Sequence, residues 1–139
     1  MMNHFQLSNE ALSIEQVQRL LNDDATGGQV LFVGTVRNVS KGKRVVRLEF
    51  EAYEPMVMRE LEKIAVEIKS KWLVHKIVLH HRLGMVSVGE VPVIAAISST
   101  HRAPAFEACA HLMNRLKESV PIWKKEVMED GEVWVTETP

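Results

Sequence analysis

One segment, which contains Pro104 and Pro121, most constrains how this chain can fold. The segment runs from His101 to Glu126 and reads HRAPAFEACAHLMNRLKESVPIWKKE. Proline is favoured in the first turn of a helix and ends a helix that reaches it. The pattern therefore predicts the end of a strand, a helix opened by Pro104, and a return to extended chain after Pro121.

Apolar residues at helical spacing predict a core-facing stripe on this helix. The stripe consists of Phe106, Cys109, Ala110, Met113 and Leu116. Lys117 falls within the same arc. Its side chain therefore either passes its apolar neighbours to reach solvent or lines a cleft at the end of the helix.

Cationic side chains lie at both ends of the predicted helix. His101 and Arg102 precede its first turn, where free backbone N–H groups and a guanidinium favour an anion. Lys124 and Lys125 follow Lys117 after the proline break. The two ends are about 20 Å apart, so one ligand can use both only if it is extended or if a neighbouring subunit completes the site.

These cations suit different chemical roles. A lysine among apolar side chains and near a second lysine is well suited to act as a general base or a nucleophilic amine, and Lys117 is the candidate. Lys124 is predicted to stay charged and to stabilise an oxyanion or a phosphate. Arg37, at the end of a predicted strand, is either a third cation of this site or an ordinary surface arginine.

The charge balance excludes a generally basic protein. The chain has 17 Lys and Arg against 18 Asp and Glu, which gives a net charge of -1. A basic site must therefore be local. A nucleic-acid-binding module is the weakest alternative, because the few aromatic residues are not arranged along a basic strand for base stacking.

Length and hydropathy indicate a small protein of the cytoplasm. The 139 residues fit one domain that spans residues 1–139. The N-terminus has no signal-like pattern, and no apolar run is long enough to cross a bilayer. Cys109, the single cysteine, lies on the predicted apolar face, which is typical of a structural thiol in a reducing compartment.

Local patterns predict the order of elements before this segment. A capping-box sequence at Ser13 predicts a first helix. Residues 29–38 (QVLFVGTVRN) are predicted to form a buried strand that ends at Arg37, in which Gly34 marks a bulge or the close approach of another backbone. Residues 38–44 (NVSKGKR) are either a mobile loop or a solvated hairpin turn.

The remaining segments complete an α+β pattern. The predicted elements are a half-exposed strand at 45–53 paired to the first strand, a helix opened by Pro55, a strand at 74–83, a loop or short strand at 84–90, a strand at 91–98, and an edge strand at 132–136. This order predicts a mostly antiparallel sheet with packed helices. Histidines 75 and 81 alternate on one strand, but no matching cysteine or carboxylate accompanies them, so no metal site is predicted.

Three segments resemble the large, catalytic subunit of molybdopterin synthase. They are FVGTVRN (32–38), SSTHRAPAFEACAHLMNRLKESVPIWKKE (98–126) and GEVWV (131–135). The similarity extends from about Gly28 to Val135. It implies an α/β hammerhead-like fold and a sulfurtransferase of molybdenum cofactor biosynthesis, which converts cyclic pyranopterin monophosphate into molybdopterin by adding two sulfurs as a dithiolene.

The resemblance also implies a partner. This is a small ubiquitin-like sulfur carrier whose C-terminal Gly-Gly ends in a thiocarboxylate, and whose tail inserts into a pocket of the large subunit. The implied assembly is a heterotetramer built on a homodimer of this chain. The family needs no cofactor, metal or cysteine in this chain, because the sulfur comes from the partner.

Residue by residue, Lys117 and Lys124 match the active-site lysines of the family. The substrate-binding residues that the resemblance implies are Thr35, Val36, Arg37, His101, Arg102, Lys117, Lys124, Lys125 and Glu126. Arg37 is expected to reach the site from the adjacent subunit. The chain ends at Pro139, whereas some relatives continue into a longer tail near the pocket, so a contact from such a tail does not carry over. The alternative function is a non-catalytic module that binds a phosphate ligand or a partner with the same cations.

Overall fold

Residues 2–136, the part of the chain that the computed structural model describes, form three helices and nine strands. The helices are α1 (Ile14–Leu21), α2 (Glu54–Lys71) and α3 (Arg102–Ser119). The strands are β1 (Met2–Ser8), β2 (Gly28–Gly34), β3 (Val39–Ser40), β4 (Lys43–Ala52), β5 (Lys76–Arg82), β6 (Gly84–Ser87), β7 (Val93–Ser99), β8 (Ile122–Met128) and β9 (Val133–Thr136). Pro139, the last residue of the chain, lies outside the described residues.

The first sheet has four strands in the order β1-β5-β7-β2. Strand β1 runs parallel to β5, and the other pairs are antiparallel. In β7, Val93, Ala95 and Ile97 join the core formed with α2 and α3. Ile94 and Ala96 pack on the other face against α1. Because both faces of β7 are buried, its sequence is a nearly continuous run of apolar residues and does not alternate between apolar and polar residues.

The second sheet is built on the long strand β4. It has the order β3-β4-β8-β9, and β6 also pairs with β4. All its pairs are antiparallel. Strand β9 lies at the end of this order, which confirms the predicted edge strand. The mostly antiparallel α+β architecture that the sequence predicts is therefore confirmed.

Local signals define the helix ends as the sequence predicts. The Ser13 hydroxyl accepts a hydrogen bond from the backbone N–H of Gln16 at 3.1 Å, which caps α1. Pro55 lies in the first turn of α2. Helix α3 begins at Arg102, two residues before Pro104, and the chain is extended again after the second proline. None of these helices, all within residues 2–136, is long and apolar enough to span a membrane.

Two predictions about strands are wrong, and one strand, β1, was not predicted. Strand β2 ends at Gly34 instead of Arg37. Strand β4 does not pair with β2, because β2 pairs with β7 while β4 pairs with β8. Neighbouring strands in a sequence often pair, but here β4 and β8 are separated along the chain by two helices and three strands, and β2 and β7 by one helix and four strands.

The predicted apolar stripe of α3 is also wrong in part. The buried residues of the helix are Ala105, Ala108, Cys109, Leu112 and Leu116. Phe106 is 61% exposed, and Ala110 is also exposed. Small alanines let the helix backbone approach the sheet closely, so the buried face is set by size and not by hydrophobicity alone.

The structure decides between the alternatives that the sequence left open at Gly34 and at residues 38–44. A Cβ added at Gly34 would lie 2.8 Å from Cγ1 of Val93. The tight contact is therefore with a side chain, whereas the sequence predicted a bulge or the close approach of another backbone; the nearest backbone atom of another strand, the Val93 carbonyl oxygen, is 3.7 Å away. Residues 38–44 form a hairpin turn in which Lys41 and Gly42 both have positive φ, 51° and 79°. Two such residues are typical of the tight turn that connects antiparallel strands.

Candidate active site

Cationic side chains from three parts of the chain line one pocket. They are Arg37, which follows β2, Lys117 in the last turn of α3, and Lys124 in β8. The apolar part of the lining consists of Phe32, Val39, Val45, Leu48, Phe50, Pro92, Val93 and Met113. A pocket with an apolar wall and a few fixed charges can hold the apolar part of a ligand while its anionic groups pair with the cations.

Strand β8 supplies two polar side chains to this pocket. Its antiparallel register with β4 places Lys124 opposite Phe50 and Glu126 opposite Leu48. Residues two apart on a strand share a face, so Lys124 and Glu126 both face the pocket. The Lys124 ammonium lies 3.3 Å from the Glu126 carboxylate. Glu126 is 8% exposed, and its Oε2 has no hydrogen-bond partner within residues 2–136.

Lys125 lies on the opposite face of β8 from Lys124. Its side chain is exposed, and it is outside the lining of the pocket. The structure therefore does not bring Lys125 together with the other predicted site residues within one chain.

The segment after β2 presents Thr35 and Arg37 to the pocket. Val36 between them is buried. Its backbone N–H donates to the Glu90 carbonyl at 3.0 Å, and its carbonyl accepts from the Gly89 N–H at 2.9 Å. These two bonds fix the backbone, so Val36 positions its neighbours and does not itself line the pocket.

Lys117 lies at the junction of this pocket with an apolar groove. The groove runs between β2 and α3 and is lined by Val30, Leu31, Phe32, Phe106, Cys109, Ala110, Met113, Asn114 and Lys117. Phe32, Met113 and Lys117 belong to both surfaces. Of the two readings for Lys117, the structure supports the lysine that lines a cleft.

The apolar surroundings predicted for Lys117 are incomplete in a single chain. Lys117 is exposed, and the aromatic residues near it in the sequence do not shield it. Phe106 is 61% exposed, and Trp123 lies on the face of β8 opposite to Lys124, outside the lining of the pocket.

His101 and Arg102 lie at the other end of α3. Both are exposed, and His101 is the residue before the first helical turn, with an extended backbone. Arg102 is about 22 Å from Lys117 along the helix axis. One chain therefore does not bring the His101–Arg102 pair to the pocket.

Sequence reasoning missed His81 as a site residue. His81 lines the pocket, is fully buried, and stacks edge-on against Phe50 with ring centroids 4.9 Å apart. Its Nδ1 donates to the Arg82 carbonyl at 2.8 Å. Burial lowers the pKa of His81 to about 4, against the opposing effect of this hydrogen bond, so the ring is neutral at pH 7. The signal in the sequence was the alternation of His81 with Ile77 and Leu79, which places it on the buried face.

Neither a metal site nor a reactive thiol is indicated. In the described part of the chain, no three His, Cys, Asp or Glu side chains form a group that could hold a metal ion. Burial raises the pKa of the Cys109 thiol to about 11, against a weaker opposing effect of a hydrogen bond to the Phe32 backbone. Since the thiolate is the nucleophile, Cys109 is suited to a structural role, as its place on α3 predicts.

The fold and the pocket define an α+β protein with a site for an anionic ligand. Comparison with known proteins makes this class more specific. A family model described as MoaE protein matches residues 7–119. The chain therefore belongs to the MoaE family.

Relatives and solved structures agree with this assignment. The molybdopterin synthase catalytic subunit of Bacillus subtilis is 42% identical over 134 residues, which cover 96% of this chain and 85% of the relative. The crystal structure of molybdopterin synthase from Staphylococcus aureus matches with a TM-score of 0.89 and 37% identity, over 95% of this chain and 96% of that chain. A complex of subunits 1 and 2 of molybdopterin-converting factor from Helicobacter pylori shares the fold, with a TM-score of 0.75 and 23% identity, over 91% of this chain and 86% of that chain.

Proposed function

We propose that this chain is the catalytic subunit of a molybdopterin synthase. In this role it transfers two sulfurs from the thiocarboxylate of a small ubiquitin-like carrier to cyclic pyranopterin monophosphate, and the product is the dithiolene of molybdopterin. The observation that carries the proposal is the convergence of Arg37, Lys117 and Lys124 on one pocket in a chain of the MoaE family. Substrate phosphate and carrier thiocarboxylate are both anionic, so both require such cations.

The groove beside the pocket provides an entry for the carrier tail. Strand β2 lies at the end of its sheet, so its outer edge has no strand partner among residues 2–136. An extended peptide can bind such an edge through its backbone. A tail that ends in Gly-Gly has no side chains near its end, so it fits a narrow groove that leads to Lys117. The exposed rings of Phe32 and Phe106 would then pack against the carrier.

In the proposed mechanism, the thiocarboxylate sulfur attacks a carbon of the substrate, so that a carbon–sulfur bond forms while a carbon–oxygen bond breaks and the oxygen group leaves. The carrier is then joined to the substrate through a thioester. Water cleaves the acyl carbon–sulfur bond, directly or after transfer of the acyl group to Lys117, which leaves the sulfur on the substrate and a carboxylate on the carrier.

Lys124 and Arg102 offset the negative charge that develops during the attack of the sulfur. Lys117 either moves a proton or holds the acyl group of the carrier as an intermediate. Each carrier brings one sulfur, so two carriers are consumed for each dithiolene formed.

The active assembly that we propose is a heterotetramer built on a homodimer of this chain. The position of Arg102 about 22 Å from Lys117 supports a shared site, because a second copy can bring its own α3 start to the pocket. His101, next to Arg102, is a further candidate for a contact across the dimer. Arg37 is expected from the resemblance to come from the adjacent subunit, but it lines the pocket of its own chain. The proposed location of the assembly is the cytoplasm.

Turnover by the purified chain tests the function. The chain is mixed with thiocarboxylated carrier and cyclic pyranopterin monophosphate, and the product is detected after oxidation to a fluorescent pterin. Lys117→Ala should lower the rate at least about 100-fold, because a side chain that transfers a proton usually contributes a factor of about 100 or more. Lys63→Ala is the matched control, because Lys63 is exposed on α2 and pairs with Glu60 at 3.2 Å.

The possible results separate the two candidate functions. Product that depends on Lys117 supports the synthase. Carrier binding by the wild-type chain without any product would instead identify the non-catalytic binding module. Lys117→Arg retains the charge but not an amine that titrates readily, so activity of this variant would show that Lys117 acts through its charge alone.

Mixing two inactive variants tests the shared site. Arg102→Ala and Lys117→Ala should each be inactive. If the site combines residues of two chains, co-expression should restore about a quarter of the wild-type activity. The reason is that half of the dimers then contain both variants, and each of these has one intact site of two. Absence of any recovery would show that Arg102 and Lys117 act in the same chain, whereas an active Arg102→Ala variant would show that Arg102 is not needed.

A further inference from the structure

Two acceptor atoms at the base of the cationic pocket lack partners. They are Nε2 of His81 and Oε2 of Glu126, both without a hydrogen bond to any part of the chain that the structure describes. Both side chains line the pocket, and both are more than nine-tenths buried. An unpaired buried polar atom costs about 1–3 kcal/mol. A folded chain tolerates this where a ligand supplies the missing bond.

The hydrogen bond at the other ring nitrogen fixes which kind of ligand atom His81 can bind. Nδ1 lies 2.8 Å from the Arg82 carbonyl, which can only accept, so Nδ1 carries the proton. In the neutral ring, Nε2 is then an acceptor without a proton. The low pKa of His81, about 4, keeps it in this form throughout the neutral range.

The ring of His81 is also held rigidly. It is buried on β5 in edge-on contact with Phe50, whose strand partner in β8 is Lys124. A rigid acceptor loses little side-chain entropy when it binds a ligand. His81 thus differs from the exposed lysine at the end of α3, which can change its position.

We infer that His81 Nε2 accepts a hydrogen bond from an N–H group of the ligand in this pocket, and that His81 is a ligand-binding residue of this site. The inference rests on the proposed function, which supplies two sources of such a donor. One is the heterocycle of the reduced pterin, whose ring and amino groups carry N–H. The other is a backbone amide of the carrier tail.

The cations and the acceptors then divide recognition between them. Arg37, Lys117 and Lys124 pair with anionic groups, which any phosphate or carboxylate provides. His81 and Glu126 accept hydrogen bonds, so they favour a ligand that carries a donor such as N–H beside its anionic groups. A site built to bind an N–H group discriminates strongly against analogues without it, because its own polar groups are then left unpaired.

The test compares His81→Phe with the wild-type chain. Phenylalanine keeps a ring beside Phe50 but has no acceptor. His80→Phe is the matched control, because His80 is equally buried on the same strand but faces away from the pocket and bonds to His4 at 2.8 Å. The measurements are the KM for cyclic pyranopterin monophosphate, kcat, and the Kd for the carrier in its carboxylate form by calorimetry.

A pterin donor predicts that His81→Phe raises the KM about tenfold with kcat little changed, and that the carrier Kd stays the same. A donor in the tail predicts a tenfold rise in the carrier Kd instead. His81→Gln, which restores an acceptor oxygen, should recover most of the loss. Thermal unfolding shows whether each variant is folded, and His81→Leu, which also lacks an acceptor, replaces His81→Phe if the latter does not fold.

Two results would overturn the inference. One is a folded His81→Phe chain in which neither constant changes. The other is an equal change in His80→Phe, which would assign the effect to packing. In both cases wild-type turnover shows that the proposed function itself stands. A wild-type chain with neither turnover nor carrier binding would instead refute the proposed function, and the inference with it.

Discussion

Lowering the pH from 7 to 5 should destabilise this fold through two buried histidines. Burial lowers the pKa of His81 to about 4, and burial together with the nearby His4 lowers the pKa of His80 to about 4, from an ordinary value of 6.5. The unfolded chain therefore binds protons between pH 6.5 and pH 4 that the folded chain does not. Stability is highest above pH 6.5 and falls as the pH falls, until the loss is complete below pH 4.

The size of the effect follows from this difference of pKa. Between pH 7 and pH 5, each histidine should lower the free energy of unfolding by about 2 kcal/mol, and both together by about 4 kcal/mol. Two carboxyl groups also have a lowered pKa, Glu67 through its hydrogen bond to His111 and Glu90 through its hydrogen bond to the Ser87 backbone. Their contribution to the free energy of unfolding is lost in a more acidic range. A comparison at pH 7 and pH 5 thus reports mainly on the histidines.

Urea unfolding followed by circular dichroism at the two pH values measures the loss. In His81→Phe only one buried histidine remains, so the loss should fall from about 4 to about 2 kcal/mol. The absolute stability of the variant does not enter this comparison, because only the difference between the two pH values is used. An equal loss in His81→Phe and wild type would refute the reasoning, as would a wild-type chain equally stable at both pH values.

Three further predictions concern packing, capping and the groove. Gly27→Ala should destabilise the fold by more than about 2 kcal/mol in urea unfolding, because the added Cβ would lie 2.2 Å from the Thr100 carbonyl oxygen, whereas at Gly28 the nearest atom is 3.6 Å away and Gly28→Ala should be tolerated. Ser13→Ala should cost about 1 kcal/mol by the same measurement, because the backbone N–H of Gln16 loses its partner, and no change would exclude the cap. Phe106→Ser should leave the melting temperature unchanged, since the ring is 61% exposed, but should weaken carrier binding about tenfold in calorimetry; unchanged affinity would place the carrier elsewhere.

Local signals in the sequence predict the elements, but not their pairing. The cap at Ser13 and the prolines at 55 and 121 act within a few residues, so the sequence alone is enough to predict these helix boundaries. The pairing of β4 with β8 joins residues 70 or more positions apart. It depends on how α2 and α3 cover the first sheet, and no local pattern specifies that.

The missed strand β1 shows a different limit. Phe5 and Leu7 pack against the core, and His4 and Gln6 alternate with them, so a pattern of period two is present. Two apolar residues at a chain end are a weak signal. The strand is stabilised by its parallel pairing with β5 and by the contact of His4 with His80, both of which exist only in the folded chain.

The charged residues of the candidate site could be predicted from the sequence, but its apolar lining and the neutral His81 could not. Lysine and arginine in one segment indicate an anion site whatever the fold, and Lys117 and Lys124 do line one pocket. Glu126, which only the family resemblance implied, lines it as well. Whether Lys125 joins them depends on the face of β8 to which it belongs, and the register with β4 decides this.

Four residues at this pocket depart from the usual division into buried apolar and exposed polar side chains. Phe32 and Phe106 are exposed beside it, while His81 and Glu126 are buried within it. Each departure lowers the stability of the isolated chain, because the exposed rings keep apolar surface in contact with water and the buried polar atoms lose their hydrogen bonds to water. A carrier that covers the rings and a ligand that donates to the acceptors would offset both costs at once. The same four side chains therefore make the fold less stable alone and the complex more stable, as expected of a site formed to bind two molecules together.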